Sequence, residues 1–141
     1  MSIPHFTFDT VEHGQRLGTL VHHITPEFVD KYCRATGDTH PWHGAGGPPF
    51  GEPIAPTAIA NVFSIFVFGI PGTHRPSGDV HARQEYEFIA PIRVGETVTT
   101  TGYLVEKFRR KGRKWVVFDT HSHDSAGRVV VRCRVTLVIP E

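Results

Sequence analysis

An α+β fold, with a curved antiparallel sheet wrapped around one central apolar helix, is what the sequence of this 141-residue chain predicts on three observations. Residues 56 to 68 are apolar on nearly every side and read as a helix that has to be surrounded. From Val80 onward four strand-like runs follow one another, "VHARQEYEFIA", "ETVTTTGYLVEKF", "KWVVFDTHSHD" and "RVVVRCRVTLVI". The later runs are joined by the turn signals "RKGR" and "DSAGR", which imply two successive hairpins. Only strands are left to enclose the helix.

Taken in order, the chain opens on "MSIPHFTFDTVEHG", which has neither a basic start nor a long apolar run, so no signal or transit peptide is expected. An early extended segment leads to "ITPEFVDKYCRATG". Thr25 is placed to cap a helix, Pro26 suits its first position, Glu27 suits the helix dipole, and Gly37 can end it. Phe28, Val29, Tyr32 and Cys33 recur at helical spacing and predict a core-facing stripe. A polar loop and a stretch rich in Gly and Pro separate this helix from the apolar one. In "KWVVFDTHSHD" the apolar half is Lys114 to Phe118, and the far end is polar.

Length and composition, 39% hydrophobic and 21% charged, predict one soluble domain over residues 1–141. A net charge of +1 gives no global field toward nucleic acid or a membrane, so neither is an expected partner. The longest apolar stretch is too short to span a bilayer. Cys33 and Cys133 fall in predicted secondary structure and read as reduced core residues, which makes the cytoplasm the expected compartment.

The chemistry concentrates in "ATGDTHPWHG", residues 35 to 44, directly after the end of the first helix. Asp38 and His43 lie five positions apart on a loop stiffened by Pro41, and together they can grip one water and divide base and acid roles. The plainer alternative is an Asx-type turn beside a surface histidine. Asp38, His40 and His43 are legitimate zinc ligand types, and "HSH" puts His121 and His123 on one strand face. No partner Cys pair or His-Glu-x-x-His helix completes a site, so no metal is expected. The run "KFRRKGRK", six cations in eight residues, sits at a predicted hairpin tip. It reads either as a solvated turn or as a dock for phosphates or an acidic carrier protein, with Arg110 and Arg113 the candidate contacts.

The element order together with "YCRATGDTHPWH" resembles the hot-dog fold, and within it the MaoC-like dehydratases and (R)-specific enoyl-CoA hydratases. Tyr32, Thr36, Gly37, Asp38, Pro41 and His43 stand in register with the hydratase motif of that family. The resemblance covers roughly residues 12 to 139, and the later strands look like the dehydratase domains of fatty-acid and mycolic-acid synthesis. Three positions depart from it: His40 replaces Asn, Trp42 replaces an aliphatic residue, and "IAPTA", residues 54 to 58, replaces an Ile-Ala-His-Gly-Met type of sequence. The resemblance implies syn hydration of a 2-enoyl thioester to an (R)-3-hydroxyacyl thioester, or its reverse, with Asp38 and His43 catalytic. It implies an oxyanion hole from backbone N–H groups, here those of Thr57 and Ala58 at the start of the buried helix. His40 is a candidate substrate-binding residue, with bracing of the loop in place of the family's Asn as its default role. No cofactor is implied beyond coenzyme A as part of the substrate, with an acyl-carrier thioester as the other form. Two other functions fit the same fold: an acyl-CoA thioesterase, and a non-catalytic subunit of a hot-dog heterodimer. The open sheet edge makes a homodimer the first expectation.

Overall fold

The computed structural model describes residues 7–64 and 78–140. Strand β1 is Arg16–His23 and helix α1 is Pro26–Thr36. A 3₁₀ turn at Thr57–Ile59 leads into helix α2, Ala60–Ser64. Strands β2 (Val80–Phe88), β3 (Thr97–Arg110), β4 (Arg113–His123) and β5 (Val129–Ile139) follow. They form one antiparallel sheet in the order β1-β3-β4-β5-β2, and the two expected hairpins are its centre. Each of the four ladders contains a register shift, at Arg16/Gly18, His81/Arg83, Leu104/Glu106 and Ser122/His123. An extra residue in one strand bends it and increases its twist, which gives this sheet its curvature.

The concave face is set by alternation along β4, where Val116, Phe118, Thr120 and Ser122 are buried while the residues between them are not. Two apolar clusters sit on that face. One gathers Leu17, Leu104, Val116, Phe118, Val135 and Leu137 toward the β3–β4 turn. The other gathers Ile24, Val29, Ile59, Phe63, Val98 and Val131 under the helices. Between them lies a seam of buried hydroxyls, with Thr100 and Ser122 bonded to each other at 2.8 Å and Thr120 beside them.

The apolar helix is present, although its predicted stretch begins as the 3₁₀ turn, and residues 65 to 68, with Phe66 and Phe68, lie outside the described residues. Its described part is not apolar all round. Ala60, Phe63 and Ser64 are fully buried, whereas Ala58 and Asn61 are exposed, and Asn61 accepts a hydrogen bond from the Tyr86 hydroxyl of β2. Desolvation raises the pKa of that hydroxyl and keeps it a donor. Of the stripe expected on α1, only Val29 is fully buried, with Phe28, Tyr32 and Cys33 half-buried against the same cluster. Phe63 anchors α2 to the sheet. Its replacement by alanine is expected to cost about 3–5 kcal/mol of stability, read from the midpoint of urea unfolding, and an unchanged midpoint would show that the helix is not held by this ring.

Candidate active site

The loop that carries Asp38 is fixed by the way α1 ends. Thr25 caps the start, its hydroxyl accepting from the Phe28 N–H at 3.1 Å. Gly37, at φ 73°, takes the left-handed conformation that closes the other end, and the Asp38 N–H turns back to the Cys33 carbonyl at 2.9 Å. Asp38 therefore leaves the helix in one direction. Its Oδ1 accepts from the His40 N–H at 3.0 Å, and His40 Nδ1 accepts from the Trp42 N–H at 3.3 Å, capping a 3₁₀ turn over Pro41–His43. The His40 ring thus braces the turn through Nδ1.

His43 is held from two sides. Its Nδ1 lies 2.7 Å from the carbonyl oxygen of Ile54, and a carbonyl only accepts, so Nδ1 carries the hydrogen. The Ile54 N–H in turn donates to the Trp42 carbonyl at 3.0 Å. Neighbouring bonds from Ala55 N–H to Ile92 O and from Val94 N–H to Pro53 O tie this segment to the run that enters β3. Nε2 of His43 then faces Asp38 Oδ2 at 3.1 Å. A neutral ring protonated on Nδ1 would present a lone pair to a carboxylate, so this contact needs one proton between the two groups. The N–H of His40, ahead of the charge and hydrogen bond of His43, lowers the Asp38 pKa and leaves its carboxylate as the acceptor.

The pair borders an open hollow of about 550 Å³, whose wall includes Val29, Cys33, His40 and Val94. That is a volume typical of ligand sites. The His43 side chain is 15% exposed and that of Asp38 32%, so a small molecule in the hollow meets both. Cys33, expected in the core, is half-buried: it packs against the helix-side cluster and also lines this hollow beside Asp38. Burial, and then the nearby Asp38 charge, raise its thiol pKa and keep it protonated.

Other expected site residues lie elsewhere. Thr57 borders a second hollow of about 210 Å³, formed with Ile54, Ile89 and Ile92, and Ala58 is exposed next to it. Ile54 joins the two places, its carbonyl holding His43 and its side chain lining the second hollow. Arg110 and Arg113 face each other at the β3–β4 turn. The 14-residue β3 spans roughly 40 Å, and it begins beside the first hollow, so these arginines stand at its far end. Among the described residues no group of three or more His, Cys, Asp or Glu is placed to hold a metal ion, and His121 and His123 remain a pair on the sheet. The Ile54 carbonyl was absent from the sequence reading, since a backbone acceptor leaves no mark on residue type.

Gly47 supports the segment from behind. It has φ 54°, and a Cβ there would stand 2.9 Å from the Gly51 carbonyl oxygen and 3.3 Å from the Pro53 nitrogen. Gly47→Ala should therefore displace Pro53 and Ile54 and with them the His43 ring. If the site is catalytic, the expected cost is roughly 10- to 100-fold in kcat, since small misplacements of reacting groups are expensive. Unchanged kcat in a folded variant would show that the Ile54 contact does not position the ring.

Comparison with known proteins follows the same lines. A family model described as the FAS1-like dehydratase domain region matches residues 12–133. An (R)-specific enoyl-CoA hydratase of Rhodospirillum rubrum is 29% identical over 140 residues, covering 94% of this chain and 91% of that protein. An unliganded R-hydratase of Pseudomonas aeruginosa superposes with a TM-score of 0.79 at 21% identity, over 95% of this chain and 85% of that one. A 3R-hydroxyacyl-ACP dehydratase complex of Mycobacterium tuberculosis gives 0.69 at 18%, over 89% and 98%.

Proposed function

Since the chain belongs to the family of FAS1-like dehydratase domain regions and has the hot-dog fold of the MaoC-like dehydratases, we propose that it hydrates 2-enoyl thioesters to (R)-3-hydroxyacyl thioesters or catalyses the reverse dehydration. The observation that carries this reading is the Asp38–His43 contact of 3.1 Å at the wall of the hollow, with the far ring nitrogen fixed on Ile54.

A water bound in the hollow beside the Oδ2–Nε2 contact has a carboxylate to take its proton as its oxygen bonds to C3. The Nε2–H gives its proton to C2, and the electron pair of the double bond is held meanwhile as an enolate on the thioester oxygen. Both groups reach from one wall, so oxygen and hydrogen arrive on the same face of the double bond. After the addition the carboxyl proton crosses back to Nε2, and the pair returns to its starting state. Water and enoyl thioester are fully accounted for in the hydroxyacyl product. The enolate needs N–H donors, and this reading assigns them to the first amides of the turn at Thr57 and Ala58, which have no partner within that turn; Thr57 borders the second hollow, with Ile54 as the link to His43.

A homodimer belongs to this reading. Strand β2 ends the sheet with nearly all its residues exposed, including Val80 at 56% and Phe88 at 48%, and an edge of that kind favours a cover. Among the described residues no helix is long and apolar enough to cross a membrane. The test follows the enoyl absorbance of crotonyl-CoA, with chiral assignment of the product and an assay for free thiol. Formation of (R)-3-hydroxybutyryl-CoA without thiol supports the reading. Thiol release without the hydroxy product would mark a thioesterase and sink it.

A further inference from the structure

Asn61 is an anomaly on a helix that is otherwise apolar where it meets the sheet. Thr57, Ala58 and Asn61 are the exposed residues of the stretch 57–64, while Ile59, Ala60, Phe63 and Ser64 are buried. Residues three and four positions apart share one side of a helical turn. Asn61 therefore stands on the same side as the two amides assigned to the enolate.

Its carboxamide is held in one orientation. The Tyr86 hydroxyl receives a hydrogen from Gln84 Nε2, so its own hydrogen goes to Asn61 Oδ1. Burial raises the pKa of this hydroxyl, and it keeps that hydrogen. Gln84 is placed in turn by the Cys133 sulfur, 3.6 Å from Nε2. With Oδ1 engaged, the open side of Asn61 is Nδ2, which has no acceptor among the described residues. Two residues of β2 and one of β5 thus fix a pair of exposed N–H donors.

The same network reaches the second hollow. The Tyr86 ring stacks on Phe88, with centres 5.4 Å apart and planes 10° apart, and Phe88 lines that hollow together with Ile54, Thr57 and Ile92. Apart from Thr57 the lining is apolar. Along the helix Asn61 lies four residues past Thr57, about 6 Å at the rise of a helix. An acyl chain that leaves the thioester carbonyl in this direction meets one fixed polar group, and that group donates.

We propose that Asn61 is a specificity-determining residue that selects 2-enoyl thioesters with an acceptor oxygen, such as a keto group, about five or six carbons along the acyl chain. Tyr86 is its positioning residue. The inference rests on the hydratase reading and on the Thr57 amide as the oxyanion donor. A preset amide needs no reorientation when such an oxygen arrives, whereas a plain hydrocarbon chain strips water from Nδ2 and returns no hydrogen bond.

The test compares trans-6-oxohept-2-enoyl-CoA with trans-hept-2-enoyl-CoA as substrates of the wild type, Asn61→Leu and Tyr86→Phe, each shown folded by its melting curve. Binding of the saturated pair, 6-oxoheptanoyl-CoA and heptanoyl-CoA, is measured in parallel by calorimetry. In the wild type kcat/KM should favour the oxo substrate by roughly three- to tenfold, the scale of one hydrogen bond. Asn61→Leu should bring that ratio to about one or below. Tyr86→Phe keeps a ring on Phe88 but releases the carboxamide, so its ratio should fall between the other two. Variants that melt lower and keep the wild-type ratio would give Asn61 a role in stability alone and overturn the proposal. So would a wild-type ratio of one, or an equal loss on both substrates in Asn61→Leu, which would set Asn61 against the pantetheine arm. If the wild type hydrates neither ester, the hydratase reading fails, and the calorimetric ratio of the saturated pair still decides whether Asn61 selects the oxygen.

Discussion

Replacing Asp38 by asparagine, or His43 by glutamine, is expected to lower crotonyl-CoA hydration by at least about 100-fold, the scale of positioned acid and base groups, with little change in melting temperature. Asparagine keeps an oxygen for the His40 N–H at the position of Oδ1, so the loop retains its turn, but it cannot take a proton from water. Glutamine cannot bridge Ile54 and residue 38 as the ring does, and it has no nitrogen that exchanges a proton. The two losses should not add in the double variant, because either one empties the same proton relay. The pH profile carries a sign of its own. Asp38 has its pKa lowered mainly by the His40 N–H, so its carboxylate stays ionised to lower pH than an ordinary aspartate, and loss of rate on its account moves to lower pH in the same direction. Activity that survives both substitutions would remove this pair from the chemistry.

The second large effect is expected from Thr57→Pro. Proline at the first position of a helical turn keeps the backbone and removes one N–H. Pro56, at φ −54° and ψ 135°, already has the extended conformation that a residue before proline requires. The substitution therefore deletes the proposed oxyanion donor while leaving the turn intact. A loss of about 100- to 1,000-fold in kcat is the scale for one such donor, while Thr57→Ala, which keeps the N–H, should stay near wild type. Equal rates for Thr57→Pro and Thr57→Ala would exclude this amide, and the separate hollow that Thr57 borders makes that comparison informative.

Much of this arrangement was legible in the chain. The cap at Thr25, the glycine at position 37 and the turn signals between the later strands each act over a few residues, so local chemistry decides them. The Asp38–His43 contact is local too, spanning five positions on a stiffened loop. Long-range facts were not legible. The carbonyl of Ile54 as the anchor of His43 is a backbone group from another segment, and the position of Cys33 at the border of core and hollow depends on where α1 meets the loop. The gap between Arg110 and the hollow follows from strand length only once the sheet order is known. The partner of Asn61, Tyr86, is likewise a long-range fact, because it comes from β2 at the edge of the sheet.

The seam of hydroxyls through the middle of the concave face, Thr100 with Ser122 and Thr120 beside them, divides what the molecule can change about itself. Side chains on one side of it share few neighbours with those on the other, so their substitutions should act independently. Leu104, Phe118 and Leu137 support the hairpins, while Val98, Val131 and Phe63 bound the helices. Such a chain can vary the half that bounds the helices through successive mutations while the hairpin scaffold stays as it was, so evolution has two separately adjustable parts within one continuous sheet.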